Sequence, residues 1–197
     1  MRRIALWVFA AVLLVPSIVS AQSTPGYRLK VRTFAELANE QRRIVLGYCR
    51  ADFEGARLVT NGFEKMRSFV SYRVNPEFAT VQVVSRFEVP LPEQPGDVVS
   101  ANYRMVGLWD THAGWSAQTG SQNVEFRIIE REGDLMINEI EPGQPRVSPR
   151  AALAYLKQQL ASANSDIEKS MIQKGIDALT IMVAPAAAPA SAAASKP

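Results

Sequence analysis

The sequence predicts an α+β fold: N-terminal helices packed on a curved four-stranded antiparallel meander, followed by a C-terminal helical extension. Three observations carry this expectation. Apolar residues recur every three or four positions between residues 34 and 71, and again between 148 and 183. Between Thr80 and Ile140 the apolar period drops to two. The segments of period two are joined by turns too short to hold a crossover helix, so consecutive strands must run antiparallel.

Thr33-Phe34-Ala35-Glu36 fits a capping box, with Thr33 accepting from an orphan amide while Glu36 reaches back. Phe34, Leu37, Ile44, Val45, Tyr48 and Cys49 then form one apolar stripe, opposite Glu40, Arg42, Arg43 and Arg50. This helix is expected from 34 to about 52, with room to continue past Gly55 to Leu58. A second, shorter helix starts at Asn61-Gly62, shows Phe63, Met66 and Val70 on its apolar face, and ends near Ser71. Tyr72 to Phe78, with Asn75-Pro76 inside, reads as an irregular link.

Val81, Val83, Ser85, Phe87 and Val89 alternate with Gln82, Val84, Arg86 and Glu88 in the first strand, and the breaker-rich run PLPEQPGD at 90–97 ends it. Val98 to Trp109 alternates again, with Val99, Ala101, Tyr103, Met105 and Trp109 on one face. A loop is expected from Asp110 to Gly114, then a long strand from Ser116 to Glu130. Glu132-Gly133-Asp134 is a hairpin turn leading to a closing strand, Leu135 to Ile140. Ser148-Pro149 opens the C-terminal extension, with Ser as N-cap and Pro in the first turn. Leu153, Leu156 and Leu160 mark that helix, and Ser165 with Glu168 caps another whose stripe is Ile172, Ile176 and Leu179. Residues 184–197 are an Ala/Pro tail without core-forming side chains, where disorder is expected.

The N-terminus has the layout of an export signal. Arg2 and Arg3 precede an apolar stretch from Ile4 to Val15, and Val19-Ser20-Ala21 supplies small residues for cleavage after Ala21. The apolar stretch is shorter than the roughly 20 residues of a spanning helix. Domains are therefore expected as a signal peptide at 1–21, an α+β domain at 22–147, the helical extension at 148–183 and the tail. A periplasmic or secreted location follows, with membrane contact only through the signal before cleavage. Of 22 Lys+Arg, cleavage removes Arg2 and Arg3, leaving 20 against 19 Asp+Glu. A chain this close to neutral has no electrostatic footprint for nucleic acid. Cys49 is the single cysteine, so an internal disulfide is excluded, and a small buried hydrophobe is its expected role.

The order of helices, meander and final hairpin resembles the nuclear transport factor 2-like superfamily, cone-shaped α+β domains of cystatin-like topology. The stretch that carries the likeness is Val98 to Pro142, including Asn123-Val124-Glu125-Phe126-Arg127-Ile128 and Gly133-Asp134-Leu135-Met136-Ile137-Asn138-Glu139-Ile140. It spans about residues 34–142, and the extension from Ser148 is not part of the usual domain. The resemblance implies a pocket between the sheet and the N-terminal helices. It implies no reaction, since such folds serve dehydratases, isomerases, cyclases and binding modules alike.

Candidate site residues are few. His112, the only histidine, lies two positions from Asp110; on an extended strand both would share a face, and a His–Asp pair can act as base and orienting acid. The alternative is an exposed turn. Tyr48, Arg50 and Asp52 belong to the dense polar run from 48 to 57, readable as a pocket rim or as ion pairing along a helix end. Tyr72 and Arg73 are placed at the pocket mouth or in a turn. Trp109 and Trp115 flank the 110–114 loop and suit either partner docking or packing on the C-terminal helices. Neither a zinc site nor a calcium loop can be composed from this sequence, phosphate-binding glycine motifs are absent, and no cofactor is expected. The reading is a non-catalytic module that binds a protein partner or a small apolar ligand, with a homodimer as a further form of association. The alternatives are a lyase or isomerase using Asp110 and His112, and an envelope assembly factor tethered by an uncleaved N-terminus.

Overall fold

A computed structural model describes residues 32–59, 62–72, 78–94 and 96–184. The expected signal segment, Arg73 and the tail beyond Ala184 lie outside the described residues.

The fold is α+β. Helix α1 spans Phe34–Phe53 and starts on the expected capping box, Thr33 accepting from the Glu36 amide and Glu36 from the Thr33 amide. It stops at Gly55, whose φ of +87° is left-handed and inexpensive only for glycine. The continuation to Leu58 exists, but as a separate 3-10 turn, Ala56–Leu58. Helix α2 is short, Gly62–Arg67, and gives way to a turn and a bridge at Val70 earlier than the stripe to Val70 suggests. The reason is tertiary. Ile137 donates its amide to the Phe69 carbonyl, Ser71 donates to the Ile137 carbonyl, and Val70 forms a parallel bridge with Ile137.

Strands β1 (Thr80–Glu88), β2 (Val98–Asp110), β3 (Gly114–Arg131) and β4 (Asp134–Glu141) form the antiparallel meander. A fifth strand, β5 (Arg146–Val147), pairs parallel with β1, so the sheet is mixed with order β4-β3-β2-β1-β5. Two residues give no periodicity, which is why the sequence alone shows four strands. Beside β1 the two-residue β5 is the last strand, and at the other end of the sheet β4 carries one bridge, between Ile137 and Val70.

Helix α3 (Pro149–Ser162) begins at Ser148, whose hydroxyl accepts from the Ala151 amide, and α4 (Asp166–Val183) begins at Ser165 in the same way. The extension does not project from the domain: it packs back on the sheet. The sheet therefore serves two cores. One joins Val45, Tyr48, Met66 and Val70 to Val84, Val99, Tyr103, Phe126 and Ile137. The other joins Val81, Val83, Trp109 and Val147 to Leu156, Ile172, Ile176 and Leu179. The change of core along β1 falls between Val83 and Val84, where its register with β2 shifts. Such irregularities bend a strand and re-aim its side chains, which lets one short strand feed two cores.

Candidate functional site

The 48–57 run divides by helical geometry. Tyr48 and Asp52, four apart, face inward on one side of α1, while Arg50 lies on the far side and is exposed. The 3-10 turn after Gly55 then brings Arg57 back beside Tyr48. Its Nη1 donates to the Tyr48 hydroxyl at 3.4 Å and to the Gly143 carbonyl at 2.9 Å.

From the other end of the chain, Arg146 enters the same region. Its backbone amide donates to Asp52 Oδ2 at 2.9 Å, and its Nη1 and Nη2 donate to the carbonyls of Gln144 and Pro142. Its guanidinium lies 5.1 Å from the centre of the Tyr103 ring, a cation–π distance. The Tyr103 hydroxyl donates to Cys49 Sγ at 2.9 Å. Asp52 and Arg146 are each 1% exposed and Arg57 8%, so the charges are genuinely interior. Tyr72, 39% exposed, brings the cluster to the surface, being close enough to Arg57 and Asp52 to interact with both charges.

This interior shifts its groups in a consistent direction. Burial pushes Asp52 up to about 6, against the opposing pull of Arg57, the Arg146 amide and the Arg146 guanidinium. Burial raises the Cys49 thiol to about 12 and lifts the Tyr48, Tyr72 and Tyr103 hydroxyls, while it lowers Arg146. Cys49 is thus a protonated, packed thiol and no nucleophile. Three polar atoms of the cluster find no hydrogen-bond partner among the described residues: Asp52 Oδ1, Arg57 Nε and Arg146 Nε. Buried polar atoms in that condition are uncommon and costly.

Asp110 and His112 sit together on the β2–β3 turn, with no hydrogen bond between their side chains among the described residues. Asp110 Oδ1 accepts the backbone amides of His112 and Ala113, closing the β2–β3 turn, and those bonds hold its carboxyl below the usual range. His112 is exposed at that turn. The Asp-Thr-His-Ala-Gly spelling reflects turn geometry, in which an Asp side chain captures amides two and three residues on.

The tryptophans also separate. Trp109 is buried in the second core. Trp115 is half-buried, its ring lying against Gly107, where a Cβ would come within 2.0 Å of it. Trp115 also lines a groove of about 610 Å³ with Gly114, Ile167, Ser170 and Met171, between the β2–β3 turn and the start of α4. Ile167 in this groove is 84% exposed.

The structure thus joins Tyr48, Asp52 and Tyr72 and leaves Arg50, Asp110 and His112 outside the cluster. Arg57, Arg146 and Tyr103 were not singled out by sequence. Arg57 lies in the dense polar run and was within reach of that signal; Arg146, between Pro145 and Val147, gives none, since a lone arginine before a helix reads as surface. Among the described residues no group of His, Cys, Asp and Glu side chains could hold a metal ion. No described helix is long and apolar enough to cross a membrane. Comparison with family models, characterised proteins and solved structures finds no match.

Proposed function

We propose that the chain is an exported, non-catalytic binding module of nuclear transport factor 2-like type, with its ligand centre at the Asp52–Arg57–Arg146 cluster. The observation that carries this reading is the convergence of two guanidiniums, one carboxylate and three tyrosines, from segments far apart in sequence, on one interior region that retains unsatisfied polar atoms. An interior of pure packing would hold none of these charges, because each costs several kcal/mol to desolvate. Nothing in the cluster serves as a nucleophile or a histidine base, and the exposed His112 removes support from the lyase or isomerase alternative. The polar composition also changes the ligand expected from the sequence, from apolar to one with a polar head.

Native mass spectrometry of the full chain, isolated after export, tests the reading. The expected result is a product starting at Gln22 with a bound small molecule, and loss of that molecule in Arg57→Met. A wild-type protein that carries nothing, and gains no thermal stability from any member of a metabolite panel, would overturn it. A second reading, docking of a protein partner, rests on Ile167 standing exposed beside Trp115 and Met171. Cross-linking from position 167 to another polypeptide, abolished by Ile167→Asp, is its expected signature.

A further inference from the structure

We infer that the free edge of β3 takes an extended peptide of another protein as an added strand, with one apolar side chain seated in the groove beside α4; this rests on the partner-docking reading above and specifies the partner. The first argument is the ladder. β2 lies along one side of β3 from Gly114 to Arg127, whereas β4 covers the other side only from Glu125 to Arg131. Pro142, which follows β4, has no N–H with which to continue it. Residues 115–124 therefore have no strand on their outer side among the described residues. Ser116 to Ser121 are exposed. A strand edge presents alternating N–H and C=O groups, which another extended main chain satisfies. Edges are commonly blunted with charge or proline. The run WSAQTGSQNV at 115–124 has neither.

The second argument is the groove. Gly114 opens β3 against α4, where a Cβ would come within 2.7 Å of Met171 Cγ. The strand therefore starts beside the first turns of the helix, and Trp115, Ile167, Ser170 and Met171 line the space between them. A peptide paired at this end of the edge sends alternate side chains to the helix side. There the apolar surface of Trp115, Ile167 and Met171 favours a large apolar one. The third argument is charge. Asp166 stands in the first turn of α4, where the helix dipole favours an anion. Lys174, on the same groove, has no ion-pair partner among the described residues, and Asp177, one turn on, accepts from Gln173. An acidic residue of the peptide answers Lys174.

The same features decide against two occupants drawn from the chain itself. A second copy of β3 would bring Ser, Gln, Thr and Asn side chains to the groove and leave Ile167 and Met171 without apolar cover. The edge is also interrupted, because the register with β2 shifts between Met105 and Gly107, opposite Gly120 and Ala117. Such an irregularity works against long edge-to-edge pairing and leaves room for a short peptide. Residues 185–197 are Ala, Pro, Ser and one Lys, with no large apolar side chain to fill the groove.

Selection of phage-displayed random dodecapeptides on the exported full chain tests this, followed by anisotropy and hydrogen exchange with the selected peptides. The expected sequences alternate in period two, share one large apolar residue and one Asp or Glu, and lack proline in the paired stretch. Binding is expected to protect backbone amides within 115–124 and to weaken by about tenfold in Ile167→Asp and in Lys174→Glu. Replacing the peptide's acid by Lys should restore binding to Lys174→Glu. Both substituted residues are exposed, so the variants keep the fold. Methylation of the peptide's ladder-facing amides should abolish binding, and methylation of the alternate amides should not. Selected sequences with apolar residues at i, i+3 and i+4, or protection confined to α4, would overturn the edge while leaving partner docking standing. A concentration-dependent dimer that protects 115–124 without peptide assigns the edge to a second copy and overturns the partner. Selection no better than on Ile167→Asp, in a chain that still cross-links from position 167 to a polypeptide, overturns the extended-peptide class alone. Failure of both removes the docking reading as well.

Discussion

The core beneath α1 and the core beneath α3 and α4 share a sheet, and even a strand, yet they are stabilised differently. The second is assembled from Val81, Val83, Trp109, Val147, Leu156, Ile172, Ile176 and Leu179, a set with almost no hydrogen-bonding demand. The first has the more extensive apolar packing and also holds Asp52, Arg57 and Arg146, whose charges must be answered by carbonyls, a backbone amide and an aromatic face. Apolar burial is the general driving force for folding a chain of this size, and the second core uses little else. The charges in the first core therefore add cost, and a cost confined to one of two cores points to a use for that core beyond stability.

The comparison can be broken most directly at Arg146. Arg146→Met leaves Asp52 buried beside one cation fewer, and a loss of about 3–5 kcal/mol in urea unfolding is expected. Leu179→Ala, in the second core, should cost about 2–5 kcal/mol through the cavity it leaves. The two should separate in pH. Asp52 has a folded pKa raised from 3.8 to about 6, so the folded chain holds a proton that the unfolded chain has released. That stabilisation is complete below the unfolded value and is lost as pH rises through about 6. The unfolding free energy of wild type relative to Asp52→Asn should decline between pH 4 and 7, whereas that relative to Leu179→Ala stays level. A level curve for both would remove the distinction between the cores.

Smaller effects sharpen the boundary between them. Gly107→Ala puts a Cβ into the Trp115 ring and should cost about 1–3 kcal/mol, with a change in Trp fluorescence as the ring moves. The smallest change is expected from His112→Ala, within about 0.5 kcal/mol of wild type and without effect on ligand uptake. A large loss of uptake in that variant would return the Asp110–His112 pair to consideration.

Much of the fold was legible because local signals and packing agree. The capping box at Thr33, the change of period at Thr80, the Gly133 turn and the Ser148-Pro149 start each follow from residues within a few positions of one another. The misses involve partners distant in the chain. Helix α2 ends at Arg67 because Phe69 and Ser71 bond to Ile137, and β5 exists because Gln82 donates its amide to Pro145 at the outer edge of β1. The site was half legible for the same reason. Tyr48 and Asp52 announce a shared helical face, but nothing local in Arg146 indicates a destination inside the protein.

The sequence by itself determined the α+β class, the four antiparallel strands, the two capped C-terminal helices and the burial of Cys49, because caps, turns and hydrophobic period act over a few residues. Only the tertiary structure decided that the C-terminal helices build a second core, that Asp110 serves a turn, and that Asp52 meets Arg57 and Arg146. Those outcomes depend on segments up to 94 positions apart in the chain, brought together by the sheet and held there by the burial of both its cores.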